Sequence, residues 1–303
     1  MSAVVAHGLV KRYGALAAVD ELSLVADPGA VCAILGPNGA GKTTTVALCT
    51  GFRRPDAGEV KVLGRAPDDR SLRALVGVMP QQPGSYPGAR CAEMLRLVAA
   101  YYAHPVPPAA LLSELGLDAC AATPYRRLSG GQQQRLSLAM AIVGRPRVLF
   151  LDEPAAGLDV QARHAVWDLV RRLRSDGVAI VLTTHDMDEA TQLADQVIVV
   201  DHGRVLAAGS VPALTRRGAE GTLRFRTTPG LDLNQLRLAL PGEARVQEAP
   251  AGCYLVSGDI SPQLLAAVTA WTASTGAMAQ ELRIEQRSLE DVFLELTGRG
   301  LRS

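Results

Sequence analysis

Gly36-Pro37-Asn38-Gly39-Ala40-Gly41-Lys42-Thr43-Thr44 directly follows the apolar run 31–35 and opens a stretch with helical spacing that reaches about residue 49. The order matches G-x-x-x-x-G-K-[ST] at every fixed position, in the strand-then-helix setting that pattern requires. Lacking a Cβ, Gly36, Gly39 and Gly41 can take positive φ and turn successive N–H groups toward phosphate oxygens, and the helix start adds the positive end of its dipole. Lys42 brings a charge that reaches the β and γ phosphates. Thr43 offers Mg²⁺ a hard oxygen, and Thr44 is a further donor to the α phosphate. The chemistry is the gripping of a nucleoside triphosphate. A glycine-rich turn with no ligand would explain the glycines but not Lys42 and Thr43 at their fixed offsets.

Two carboxylates, Asp152 and Glu153, close the apolar run 148–151. Successive strand side chains point to opposite faces, so the pair divides its work. Asp152 suits the Mg²⁺ shell beneath the phosphate loop, and Glu153 suits orienting or deprotonating the water that attacks the γ phosphate. A solvated strand end is the plainer alternative, and the upstream loop weighs against it. In Leu128-Ser129-Gly130-Gly131-Gln132, Ser129 and Gln132 form an S-x-x-Q capping box whose glycines bare the N–H groups of a helix start, a second place suited to an anion. Standing alone, that segment reads as an ordinary capping box.

The elements that must position these groups are short. Strands are expected at 3–10 and 23–25 with a turn near Gly14, then at 31–35 and 76–79. Helical spacing at 89–103 and 109–115, broken by His104-Pro105-Val106-Pro107-Pro108, predicts a small helical insertion, about 84–145. Helix and strand then alternate: 132–143, 148–151, 161–175, 179–183, 188–193 and 196–200. This predicts an α/β fold with a mainly parallel core sheet, preceded by a small N-terminal antiparallel β part. The ATPase domain is expected over 1–217 and a second, α+β module over 222–303. The module's order is strand, helix (233–240), strand (244–248), strand (253–257), helix (262–274), strand (279–285), which resembles a split βαβ unit. A last helix is signposted by the Ser288/Asp291 capping pair and Gly298, with Leu289, Val292, Phe293 and Leu296 on one face.

Composition bounds the rest. At 303 residues the chain has room for a large domain and a smaller one. Its 31 basic and 30 acidic residues leave a formal charge of +1, with no long block of either sign, so no nucleic-acid-binding surface is announced. Five cysteines, an odd number without C-x-x-C spacing, point to reduced thiols and no zinc site, with Cys32 and Cys49 as small core residues. The chain shows no signal-peptide core and no apolar run of the roughly 18 to 20 residues a membrane span needs, so a cytoplasmic location is expected.

LSGGQQQR at 128–135, some twenty residues before Asp152-Glu153, together with the phosphate loop, resembles the ATP-binding subunits of ABC transporters over about residues 3–213. The resemblance implies further roles. Tyr13 is similar to the aromatic platform that stacks on adenine, Gln81 to the glutamine that touches Mg²⁺ and the attacking water, and His185 to the switch histidine at the γ phosphate. Gln82 leaves the glutamine ambiguous by one residue. Gly157-Leu158-Asp159 resembles the loop in which Asp159 faces a second subunit, though Ala155 stands where threonine is more usual. It further implies two ATP molecules held between two ATPase subunits, each phosphate loop facing Ser129, Gly130, Gly131 and Gln132 of the other, with a homodimer the simplest form. Ser288 to Gly298, after an α+β module, and Asp201-His202-Gly203-Arg204-Val205 resemble drug-resistance, daunorubicin-type export ATPases. The implied partner is an integral membrane permease on a separate chain, placing the subunit at the cytoplasmic face of the membrane. A soluble ABC ATPase acting on a cytoplasmic macromolecule is the alternative, but neither a second GKTT motif nor sustained heptads support it.

Overall fold

The computed structural model describes residues 2–81, 86–216, 221–242, 244–258, 260–285 and 288–297. The chain divides into two compact units, one running to Val211 and the other beginning at Pro212.

In the first unit, β1 (Val4–Tyr13) and β2 (Leu16–Ala26) form a hairpin, followed by β3 (Val31–Leu35), α1 (Lys42–Cys49), β4 (Ala57–Val62) and β5 (Val76–Met79). A helical portion follows: α2 (Cys91–Ala99), α3 (Pro108–Glu114) and α4 (Gly130–Ile142). Then come β6 (Val148–Asp152), α5 (Val160–Ser175), β7 (Ala179–Thr184), α6 (Met187–Leu193), β8 (Gln196–Asp201) and β9 (Arg204–Gly209). The core sheet has the order β5-β6-β7-β3-β8-β9, parallel except for β9, and β2-β1-β4 make a separate antiparallel sheet. The α/β architecture with a mainly parallel sheet is thus as expected.

Every residue of β3, β6 and β7 is buried. That is why these strands read as unbroken apolar runs: helices or a second sheet cover both faces. The antiparallel hairpin instead alternates buried and exposed positions, Leu22, Leu24 and Ala26 pointing inward. Two strands were not anticipated. β4 has only Val60 and Val62 directed into the core, and β9, rich in alanine and glycine, is an antiparallel addition to β8 rather than an independent apolar strand.

The second unit contains α7 (Val211–Arg216), β10 (Gly221–Arg226), α8 (Leu233–Ala239), β11 (Arg245–Glu248), β12 (Cys253–Gly258), α9 (Pro262–Ser274), β13 (Gln280–Glu285) and α10 (Leu289–Thr297). Its sheet order, β11-β12-β10-β13, is antiparallel throughout. This is the split βαβ arrangement, with one helix after the first strand and one after the third. Its core gathers Leu223, Val256, Leu264 and Val268 around three rings. Phe225 and Tyr254 stack at 5.4 Å, and Trp271 meets both edge-on at 6.3 and 6.0 Å. In α10, Ser288 and Asp291 cap one another, and Leu289, Val292 and Phe293 are buried. Leu296, expected on the same face, is exposed, and Gly298 lies outside the described residues.

All five cysteines are free and buried. Burial pushes the thiols of Cys32 and Cys49 up to about 12, consistent with their packing as core residues.

Candidate functional site

Strands β6, β7 and β3 are neighbours, so their carboxyl ends deliver Asp152-Glu153, His185 and the Gly36 loop side by side. This is where ligands bind on open parallel sheets. At the edge beside β6, β5 leads to Gln81, which is exposed; Gln82 lies outside the described residues.

The phosphate loop fits its neighbours closely. A Cβ on Gly36 would lie 2.3 Å from the Val200 carbonyl oxygen, and one on Gly41 2.2 Å from that of Ala18. Gly41 also has φ +101 as the residue preceding α1, so both space and backbone demand glycine. Pro37 is half-buried, Ala40 buried, and Asn38 and Gly39 exposed. Thr43 is exposed and Thr44 half-buried on the first turn of α1, and neither hydroxyl has a hydrogen-bond partner among the described residues. Contact with Ala18 brings β2 against the loop. Tyr13, at the end of the paired β1, is 47% exposed, with Lys11 Nζ 6.0 Å from its ring centroid.

Lys42 is only 5% exposed. Its ammonium donates to the carbonyls of Gly36 at 2.7 Å and Pro37 at 3.1 Å and lies 3.3 Å from Glu153 Oε1. Burial lowers the Lys42 pKa, and the Glu153 carboxylate opposes that shift. The other oxygen of Glu153 is 3.3 Å from His185 Nδ1. Glu153 therefore bridges the loop lysine and the histidine. Its backbone takes φ 53, an uncommon conformation for a residue with a side chain. Four hydrogen bonds hold it there, one of them from Ala156 N to its carbonyl at 3.2 Å. Its N–H donates to Thr183 O at 3.1 Å and Thr183 Oγ1 at 3.0 Å, and its carbonyl accepts from Gln134 Nε2 at 2.7 Å. Asp152, 1% exposed, accepts from the Thr183 hydroxyl at 2.5 Å. One threonine thus fixes both carboxylate residues.

The capping box forms as read: Gln132 N donates to Ser129 Oγ at 3.3 Å, and Ser129 N to Gln132 Oε1 at 2.9 Å. Ser129 and Gly130 are exposed, so the start of α4 presents its free N–H groups to solvent. Asp159 caps α5 by accepting from Ala162 N at 2.8 Å. A Cβ on Gly131 would lie 3.3 Å from Leu158, which sets the α4 start against the 157–159 loop.

Sequence reasoning missed Thr183 and Gln134. Neither sits in a recognisable spacing of its own. Gln134 falls within a run of three glutamines, of which only the first had a visible job as a cap.

Backbone donors at a helix start, a buried lysine and a paired glutamate and histidine at adjacent strand ends make up the apparatus of a P-loop nucleoside triphosphatase. A family model described as "ABC transporter" matches residues 19–156. The Nod factor export ATP-binding protein I of Ralstonia nicotianae is 39% identical over 98% of this chain and 94% of that protein. The chain belongs to the ABC transporter family as an ATP-binding subunit, and it is an ATPase. The daunorubicin/doxorubicin resistance ATP-binding protein DrrA of Streptomyces peucetius is 35% identical over 98% of this chain and 92% of that protein. Among solved structures, an ATP-binding subunit of an ABC transporter is 28% identical with a TM-score of 0.65, covering 72% of this chain and 93% of that one. The cassette MJ0796, in a dimeric post-hydrolysis state with ADP and Pi, is 25% identical with a TM-score of 0.63, covering 68% and 98%. No helix among the described residues is long and apolar enough to cross a membrane.

Proposed function

We propose that the chain powers export of a drug, antibiotic or lipid-like compound through an integral membrane permease on a separate chain, at the cytoplasmic face of the membrane. The observation that carries export is the likeness along nearly the whole chain to proteins named for exporting Nod factors and for resistance to daunorubicin. The ATPase domain, read from the sequence as 1–217 with a helical subdomain over about 84–145, corresponds to the unit that runs to Val211, and the module read as 222–303 serves dimer support or regulation.

Hydrolysis takes place between two copies. The loop Gly36 to Thr44 holds the phosphates with Lys42, Tyr13 stacks on adenine, and Ser129, Gly130, Gly131, Gln132 and Asp159 act on the nucleotide across the interface. Exposure of the capped α4 start supports that assignment. Glu153 orients and deprotonates the attacking water; His185 holds the carboxylate from its other side, and Gln81 flanks the water. The donor set fits Mg²⁺: Thr43 and Gln81 offer hard oxygens at exposed positions, and Asp152 is pinned by Thr183. Held by these residues, Mg²⁺ would neutralise charge on the β and γ phosphates.

Membrane fractions from cells expressing the chain with and without its permease test the transport reading. Recovery in membranes should require the permease, and equal recovery without it overturns the partner assignment.

A further inference from the structure

We infer that Glu189 is a positioning residue for hydrolysis: its buried carboxylate ties α5 to the first turn of α6, directly after His185, and so holds His185 against Glu153. The inference rests on the roles given above to Glu153 and His185.

Glu189 lies in the first turn of α6, is 2% exposed, and has no catalytic spacing to announce it. On one side its carboxylate accepts from Trp167 Nε1 of α5 at 3.3 Å. On the other it shares a cavity with the side chain of Thr184, whose hydroxyl donates to the Asp186 carbonyl at 3.5 Å. Thr184 Oγ1 also accepts the Asp186 N–H at 2.9 Å, and the Thr184 carbonyl accepts from Gly36 N at 3.3 Å. The residue between them in sequence is His185. Glu189 therefore lies against a backbone segment shared by the histidine and the phosphate loop. A cavity of about 90 Å³ joins Glu189 to Glu153, His185, Thr184, Arg163 and Asp186, so the cluster is continuous with the hydrolytic glutamate.

Among the described residues, the charged and titratable groups around Glu189 come from α5, the end of β6 and the β7–α6 turn. From α5 come Arg163, 3.4 Å from Asp186, and His164, whose ring lies 5.2 Å from that of Trp167. From the end of β6 comes Glu153, and from the β7–α6 turn come His185 and Asp186. Burial pushes the Glu189 carboxyl up to about 6, further raised by Asp186 and opposed by Thr184, Trp167 and Arg163. As a carboxylate it accepts from Trp167 Nε1. Once protonated, one of its oxygens becomes a donor that must find an acceptor among the groups lining the cavity. Hydrolysis should then weaken as pH falls through about 6.

The test is steady-state MgATP hydrolysis by the purified chain across pH about 5 to 8, for wild type, Glu189→Gln, Thr184→Val and Thr184→Ser. Glu189→Gln should lower kcat roughly 10-fold at pH 8, leave KM within about twofold, and lose the acid limb near pH 6. Thr184→Val should reproduce the fall in kcat, and Thr184→Ser, which keeps the hydroxyl, should restore it. A Glu189→Gln enzyme with wild-type kcat and an unchanged acid limb overturns the inference, as does a Thr184→Val enzyme with wild-type kcat. Glu153→Gln, run alongside, separates the two readings. If it hydrolyses at the wild-type rate, the assignment of Glu153 fails; if it is inactive while Glu189→Gln behaves as wild type, only the Glu189 inference fails.

Discussion

Lys42 and Glu153, the cation of the phosphate loop and the carboxylate at the end of β6, are joined 3.3 Å apart with both side chains nearly sealed from solvent. The pair sets two demands. ATP phosphates must compete with Glu153 for Lys42, and neither residue can be removed without leaving a buried charge behind.

Glu153→Gln should therefore lower hydrolysis by at least about 100-fold while binding ATP as tightly as wild type or more so. Phosphate release and a nucleotide-binding titration measure the two quantities separately. A variant that loses both together would mean that Glu153 serves the fold and not the reaction.

Lys42→Met should destabilise the protein by about 3 kcal/mol, since Glu153 loses its counter-charge in a dry site. Adding Glu153→Gln should recover most of that loss, although nucleotide binding stays impaired. Urea unfolding of the two single variants and the double variant gives the coupling; purely additive effects would contradict the pairing.

Glycine replacements in the phosphate loop should fall into two classes. Gly36→Ala and Gly41→Ala place a methyl within 2.3 and 2.2 Å of backbone carbonyls and should distort the loop enough to abolish nucleotide binding. Gly39→Ala meets nothing within 4 Å and carries only the strain of φ +83, about 1 to 2 kcal/mol. Thermal unfolding with and without ATP would separate them, and equal behaviour of all three would refute the steric argument.

Charging the buried Glu189 costs stability. Its folded pKa, about 6, stands above the 4.5 of an ordinary glutamate, so its contribution is complete below that lower value and is lost as pH rises through about 6. Glu189→Gln should gain up to about 2 kcal/mol relative to wild type between acid and neutral pH. Unfolding midpoints at both ends of that range decide it. A variant that becomes less stable relative to wild type as pH rises would reverse the sign.

Much of this site was legible because its chemistry is local in sequence. The phosphate loop, the carboxylate pair and the capping box each lie within nine residues and follow a recognisable apolar strand or precede a helix. The parallel sheet could be read because burial on both faces leaves continuous apolar strands such as β6. What could not be read depends on contacts between distant segments. Thr183 clasps Asp152 and Glu153 from the next strand, Gln134 reaches Glu153 from nineteen residues away, and Trp167 meets Glu189 across two helices. A threonine, a glutamine and a tryptophan in ordinary secondary structure give no spacing to detect. β4 and β9 escaped for a different reason: their pairing partners, β1 and β8, supply the apolar context that their own residues lack.

The five buried thiols make the native chain its own probe of breathing. Cys32, Cys49, Cys91 and Cys120 belong to the first unit and Cys253 to the second, and none can meet an alkylating reagent until its surroundings open. The order in which the five are alkylated would rank the opening free energies of the two units in a single unlabelled sample. Protection by nucleotide of the first four, with Cys253 unchanged, would show how far the grip on ATP reaches along the chain.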